Sequence, residues 1–367
     1  MLKIIKQSKI SKARIGVLQT NHGTVETPFF MPIATRGAVK NLSPQELKEL
    51  GASVVLSNTF HLMIRPGLDT LQKAGGLHKF MAWNGPVLTD SGGFHVFSLA
   101  SQRKIREQGV EFASPVDGAR IFLSPEESLK AQMIIGSDIA MVLDECPAFS
   151  KDKKVIRAAV ARTAEWAKRS KEFFNKHCKG KKPLLFGIAQ GGVYKSLRQK
   201  SCQELVGLDF DGYAIGGLCL GEPNNKTKQV VGWLTEWLPD NKPRYQMGAG
   251  WPQQIVEAVK MGIDMFDCVL PTRNARHGAL FIFKNRQSLK NGFYKVVNIS
   301  QQKYAGDFKP LDKTCSCYTC KHFSAAYLRH LCRIGEPLYQ RLASLHNLKF
   351  YFDLISSIKT NIKKGLL

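Results

Sequence analysis

The chain has 367 residues, 44% of them hydrophobic, which suits a large barrel plus an appendage, and no apolar run reaches the roughly 18–20 residues needed to cross a membrane. Lysine and arginine outnumber aspartate and glutamate by 53 to 29, a net charge of +24 that points to a polyanionic partner. Nine cysteines without a regular framework argue against a secreted disulfide scaffold, and MLKIIKQSKISKARIG lacks the apolar core of a signal peptide, so a cytoplasmic protein with reduced thiols is expected.

In chain order, residues 1–35 read as an N-terminal β-hairpin region built around GVLQTNHGTVETPFF. Residues 36–286 alternate helix and strand signals over about 250 residues, the length of a (β/α)8 TIM barrel, with a doubly wound open sheet as the alternative. Ser43-Pro44-Gln45-Glu46 marks a helix start: the serine caps, the proline suits the first turn and the glutamate completes a capping box. Ser124-Pro125-Glu126-Glu127 repeats the device. The runs SVVLSN, PVLTD, IAMVLDE, LLFGIAQ, YAIGG, RYQMG and MFDCVLP are short, apolar and bounded by turn residues, as buried parallel strands are. Residues 287–346 break this rhythm and hold a cysteine cluster, and 347–367 read as a C-terminal helix. From Pro271 onward 17 basic residues face 4 acidic ones, a net of +13, so the last quarter carries over half the charge.

Polar residues end the strand runs. Asp90, Asp144, Gln190, Gly216-Gly217, Gly248 and Asp267 would share the C-terminal rim of a barrel, where TIM-barrel active sites lie. Paired carboxylates on that rim can divide the work at a glycosidic carbon between nucleophile and acid/base. Asp264, three residues before Asp267, is the other carboxylate of its segment. Ser91, Gly92 and Gly93 let backbone approach a ligand closely. QGGVY and GYAIGGLCLGEP match neither a dinucleotide fingerprint nor a P-loop, but their backbone groups can read the edge of a planar base. Phe94 and Met247 could sandwich such a base. Arg273 and Arg276, in PTRNARHG, suit phosphate or base contacts on RNA, or surface ion pairs.

Cys315, Cys317 and Cys320 place three thiolates within six residues, a structural zinc pattern that needs a fourth ligand. His322, His330 and His346 are available; His322 stands too close to Cys320 to wrap easily around the same ion.

The strings LTDSGGFHVFS, GSDIAMVLDECP, FGIAQGGVY, GYAIGGLCLGEP, MGAGWPQQIVEAVKMGIDMFDCVLPTRNARHG and CSCYTC with His346 together resemble the tRNA-guanine transglycosylase, or queuine tRNA-ribosyltransferase, family of the bacterial type, from Gly16 to His346. The resemblance implies a TIM barrel with a zinc-binding subdomain near the C-terminus. It implies exchange of guanine at the wobble position of the aspartate, asparagine, histidine and tyrosine tRNAs with GUN anticodons for a 7-deazaguanine base, in queuosine biosynthesis. By the same resemblance Asp267 is the nucleophile on ribose C1′ and Asp90 the acid/base. Ser91, Asp144, Gln190, Gly217 and Leu218 contact the base, and Phe94 and Met247 stack on it. Arg273 and Arg276 read anticodon-loop uridines, and one structural zinc ion is held by Cys315, Cys317, Cys320 and His346. A homodimer is implied as well. Leu220, a bulky residue after GGLC, favours the small base preQ1 over queuine. Two residues depart from the family pattern: His95, where glutamine follows DSGGF, and His277, where the second asparagine of RNARNG stands. A barrel glycoside hydrolase and a catalytically silent tRNA-binding paralogue are the rival readings. The first needs neither the charge nor the thiolates, and the second should have lost Asp90 or Asp267.

Overall fold

The computed structural model describes residues 2–93, 103–150 and 152–367. β1 (Leu2–Gln7), β2 (Arg14–Thr20) and β3 (Gly23–Glu26) form an antiparallel sheet in that order. Eight parallel strands follow: β4 (Phe29–Met31), β5 (Val55–Ser57), β6 (Val87–Thr89), then, after an inserted antiparallel sheet of β7 (Arg103–Arg106), β8 (Gly109–Ala113) and β9 (Arg120–Leu123), β10 (Ile139–Met141), β11 (Leu184–Ala189), β12 (Gly212–Ile215), β13 (Arg244–Gln246) and β14 (Met265–Asp267). Each pairs with its neighbours in chain order, and β14 returns to pair with β4. A parallel bridge between Ile33 and Leu56 joins the remaining two edges, with the Ala34 N–H donating to the Leu56 carbonyl at 2.6 Å. The sheet is therefore a closed barrel, not the doubly wound alternative.

The barrel begins at Phe29, inside the segment read as hairpin. Phe29–Met31 is three residues long and sits between Pro28 and Pro32, so it lacks a strand-length apolar run. Burial on all sides supplies what length does not: β4, β5, β6 and β10 are buried at every position.

The helices are α1 (Pro44–Leu50), α2 (Thr59–Leu62), α3 (Leu68–Lys73), α4 (Leu77–Met81), α5 (Pro125–Ile135), α6 (Lys153–His177), α7 (Lys195–Gly207), α8 (Asn224–Trp237), α9 (Pro252–Lys260) and α10 (Leu270–Arg276). The Ser43 box at α1 forms in full, and Ser124 caps α5 through the Glu127 N–H. After α10 come the hairpin β15 (Ala279–Phe283) and β16 (Tyr294–Asn298), then α11 (Tyr318–His322), α12 (Ala325–Ile334) and α13 (Pro337–Lys363). The last helix starts ten residues before 347 and packs along α10 and against α1 and β4. One hydrophobic core runs from the barrel into the cysteine-bearing segment, taking in Phe281, Cys317, Leu342 and Tyr351.

Candidate active site and metal centre

The rim residues meet at the C-terminal mouth of the barrel. Asp267 closes β14, and its Oδ1 accepts from the Tyr245 hydroxyl at 2.5 Å and the Gly248 N–H at 2.8 Å. Among the described residues no donor reaches its Oδ2. Burial raises its pKa above the usual carboxylate value, the neighbouring charge of Asp90 adds to the rise, and the Gly248 and Tyr245 donors oppose it.

Asp90 follows β6. Its Oδ1 accepts from the N–H groups of Thr59 at 3.1 Å and Gly92 at 3.0 Å, and its Oδ2 from the Asn58 side chain. The Asn58 Oδ1 caps α2 by accepting the His61 N–H at 2.9 Å, which fixes the amide with its NH2 toward Asp90. Burial pushes Asp90 up to about 6 despite these donors. A carboxyl poised there can give and take a proton near neutrality.

Asp144 accepts from the Gln190 Nε2 at 2.7 Å and the Ser91 Oγ at 3.2 Å. Burial pushes it up to about 6, helped by the charges of Asp90 and Glu145. Gly216 and Gly217 are glycine because the Gln190 amide lies against them: added Cβ atoms would meet its Nε2 at 2.6 Å and its Oε1 at 2.3 Å. Gly217 also takes φ +65°. Leu218 is buried and Met247 half-buried beside Gly248. Glu222 accepts from the N–H groups of Cys219 at 2.6 Å and Leu220 at 2.9 Å, so the carbonyl of the planar Leu218–Cys219 peptide faces away from Glu222. Phe94 and His95 lie outside the described residues.

Asp264 belongs to the opposite end of the barrel. It precedes β14, is fully buried, and is bound by Arg14 at 2.6 Å and by the Arg244 N–H at 2.8 Å. It ties the N-terminal sheet to the barrel floor and is no reserve nucleophile. Asp138, also on the floor, similarly accepts from His22 at 2.9 Å and His78 at 3.1 Å.

Arg273 and Arg276 lie one turn apart on α10, directly after Asp267, and neither forms an ion pair among the described residues. The ion-pair reading of these two therefore fails. His277 ends the helix with its Nδ1 on the Arg273 carbonyl at 2.7 Å. A side-chain polar group at this helix end satisfies an otherwise open carbonyl, which gives the residue a local role.

Cys315, Cys317, Cys320 and His346 are all buried, with their ligand atoms within 4.8 Å of one another. The His346 Nδ1 stands 3.3 Å from the Cys320 Sγ and 3.9 Å from the Cys317 Sγ. A tetrahedral zinc with ordinary bond lengths would separate N and S by about 3.5 Å, so the donor set fits a closed structural zinc site. The His346 Nε2 lies 2.7 Å from the Phe281 carbonyl, which fixes the tautomer and leaves Nδ1 to the metal. His322 and His330 are exposed and stand outside the cluster.

Four residues of the site escape sequence reasoning: Asn58, Tyr245, Glu222 and the buried Arg198. Asn58 reads as a plain helix cap after β5, Tyr245 as a strand residue within β13, and Glu222 as an ordinary turn acid before a proline. The barrel brings neighbouring strand ends side by side and so gives Asn58, Tyr245 and Arg198 their partners, whereas Glu222 is bound locally by Cys219, Leu220 and Thr227.

A family model described as queuine tRNA-ribosyltransferase matches residues 8–367. A queuine tRNA-ribosyltransferase of Thermoanaerobacter sp. is 48% identical over 365 residues, covering 100% of this chain and 94% of its own. One from Nitrosomonas eutropha is 51% identical over 353 residues, covering 96% and 94%. One from Staphylococcus haemolyticus is 48% identical over 363 residues, covering 99% and 92%.

Proposed function

The chain belongs to the queuine tRNA-ribosyltransferase family, and we propose that it is a tRNA-guanine transglycosylase, a pentosyltransferase that exchanges guanine at the wobble position of GUN-anticodon tRNAs for a 7-deazaguanine base in queuosine biosynthesis. The observation that carries this reading is the pairing of a donor-held Asp267 with an Asp90 poised near neutrality.

Tyr245 and Gly248 both occupy Oδ1 of Asp267, so Oδ2 is the oxygen that attacks ribose C1′. As the bond from C1′ to the base breaks, Asp90 in its acid form gives the departing guanine a proton. The ribose is then held as an ester of Asp267. Asp90, now a carboxylate, takes the ring N–H proton of the incoming base. That nitrogen attacks C1′, and Asp267 leaves as the carboxylate. Two displacements return both aspartates to their starting states.

Asp144 receives the amino and ring N–H donors of the base, and Gln190 with Gly217 meets its oxo edge. Met247, with Phe94, covers the ring. The Leu218 carbonyl, turned away from Glu222, accepts from the aminomethyl of preQ1, and Leu220 narrows the space a larger substituent would need; preQ1 is thus favoured over queuine. Arg273 and Arg276, which form no ion pair among the described residues, read the anticodon loop. One zinc ion in the thiolate–imidazole cluster is structural, since four protein ligands leave no open position.

The aspartate, asparagine, histidine and tyrosine tRNAs are the substrates, and the cytoplasm is where they occur. A second copy of the chain is the partner for the aromatic face of the zinc-bearing subdomain. Phe308 is 81% exposed there, Tyr318 is half exposed, and Phe323 stacks on Tyr327 with centroids 5.3 Å apart.

Incorporation of radiolabelled guanine into unmodified tRNA, chased with preQ1 or queuine, tests the exchange. Asp267→Asn should bind tRNA yet leave no tRNA-shifted band on a denaturing gel. A persistent adduct would place the nucleophile elsewhere.

A further inference from the structure

Behind the base-reading loops lies a cation that the mechanism above does not use. Arg198, on α7, is 0% exposed, and its guanidinium forms no ion pair among the described residues. Burial lowers its pKa only to about 10, so it stays charged at neutral pH. Its Nε donates to the Gly192 carbonyl at 2.8 Å, one terminal nitrogen to the Ala189 carbonyl at 2.7 Å and the other to the Gly217 carbonyl at 3.4 Å. Ala189 ends β11 and Gly192 lies in the loop after it, on either side of Gln190, and Gly217 lies in the loop after β12.

Ser201, one turn further along α7, accepts the Gln190 N–H at 3.1 Å. The helix thus grips Gln190 from both sides, while Gly216 and Gly217 close over its amide. A surface arginine would satisfy its donors with water; a buried one needs protein acceptors and so holds the carbonyls it has. Three carbonyls neutralise a full charge only in part, and the remainder is felt by Glu222 and by the Cys146 thiol beside Gln190.

We infer that Arg198 is a positioning residue for base recognition: it fixes the Gln190 and Gly217 loops so that they present donors to the oxo edge of the purine, and its charge favours bases with acceptors there. It touches no substrate. The inference rests on the exchange reading, since it needs a base in that pocket. The chemical class it selects is the 6-oxopurine and 6-oxo-7-deazapurine, against purines without the oxo group.

The test compares wild type with Arg198→Lys and Arg198→Met in the full-length zinc-loaded protein. The readouts are KM for guanine, KM for tRNA, inhibition by 2-aminopurine and thermal melting. Lys keeps the charge but cannot reach three carbonyls, and Met keeps only the bulk. In Arg198→Met the KM for guanine should rise about tenfold or more while that for tRNA stays within about twofold, as the loss of a charged hydrogen-bond donor predicts. The preference for guanine over 2-aminopurine should shrink with it, and Arg198→Lys should recover part of both. Should Met unfold the chain, the lysine variant alone still separates the cases. A folded variant with unchanged KM for guanine overturns the assignment. So does a fall in kcat that merely tracks the fraction of enzyme able to form the covalent adduct. A wild-type protein that incorporates no guanine at all would instead overturn the exchange reading.

Discussion

Asp144 offers the most direct test of how the pocket is tuned. Its folded pKa stands at about 6, raised from the 3.8 of a free aspartate first by burial and then by the charges of Asp90 and Glu145. Each unit is worth about 1.36 kcal/mol, so the ionised carboxylate costs the native state about 3 kcal/mol at pH 8. The folded protein binds this proton more tightly than the unfolded chain does. The cost is therefore absent below the unfolded pKa, grows between the unfolded and folded values and is complete above the folded one; at pH 5 it is about half its full size. Asp144→Asn keeps the shape and can keep both bonds, accepting from Gln190 through its oxygen and donating to Ser91. It should raise stability in denaturant melts by about 3 kcal/mol at pH 8 and about half that at pH 5, while base exchange falls steeply. A gain independent of pH, or a loss at pH 8, would refute the burial argument.

Two further substitutions probe the site. Tyr245→Phe removes one of the two donors on Asp267 Oδ1 and should lower the single-turnover rate of adduct formation by about 10- to 100-fold, as a lost charged hydrogen bond of about 1.5–3 kcal/mol predicts; an unchanged rate would leave Gly248 alone responsible. Arg276→Ala should lose most activity on tRNA with uridine 35 while narrowing the gap to tRNA altered there, by about 1–3 kcal/mol if the DNA base-readout range holds for RNA. An equal loss on both, with a shallower salt slope in kcat/KM, would make Arg276 a phosphate contact.

Much of the barrel is legible in the sequence because its strands are short apolar runs ending in a polar residue, and burial of both faces demands that pattern. Phe29–Met31 hides because three residues between prolines carry no period, and only pairing with β14 and the Leu56 bridge makes it a strand. Cys315, Cys317 and Cys320 announce a metal by spacing alone. His346 cannot be chosen over His330 that way, since the choice depends on which face of a helix turns inward. The pocket's tuning is legible nowhere in the sequence. That Asp90 sits near 6 follows from enclosure by elements drawn from distant parts of the chain, and Asn58 matters only because its cap bond orients its amide.

The thiolate–imidazole cluster and the mouth of the barrel are joined by α13, which turns one face to both. Tyr339, Asn347 and Tyr351 lie at helical spacing on it. The Tyr339 hydroxyl donates to the Ala275 carbonyl of α10 at 3.0 Å, and that of Tyr351 to the Gly250 carbonyl at 2.6 Å, two residues past the Gly248 that holds Asp267. Asn347 donates to the carbonyls of Pro271 at 2.9 Å and Ala279 at 3.0 Å, bracketing the arginine-bearing helix, and accepts the Phe281 N–H at 3.0 Å. His346 reaches the carbonyl of that same Phe281 while offering its other nitrogen to the metal. A bound zinc therefore pins α13 at the point where it braces α10. Removing the ion should loosen Arg273 and Arg276 before it disturbs Asp90, Asp144 and Gln190, which follow strands the helix does not brace. Asn347→Ala should act in the same direction, leaving three buried groups unpaired at about 1–3 kcal/mol each before relaxation. Both perturbations should lower melting temperature and weaken tRNA binding in filter assays, with guanine affinity by calorimetry changed much less. Loss of base and tRNA binding in a single step would show that the subdomain and barrel unfold as one unit and that α13 is no selective brace.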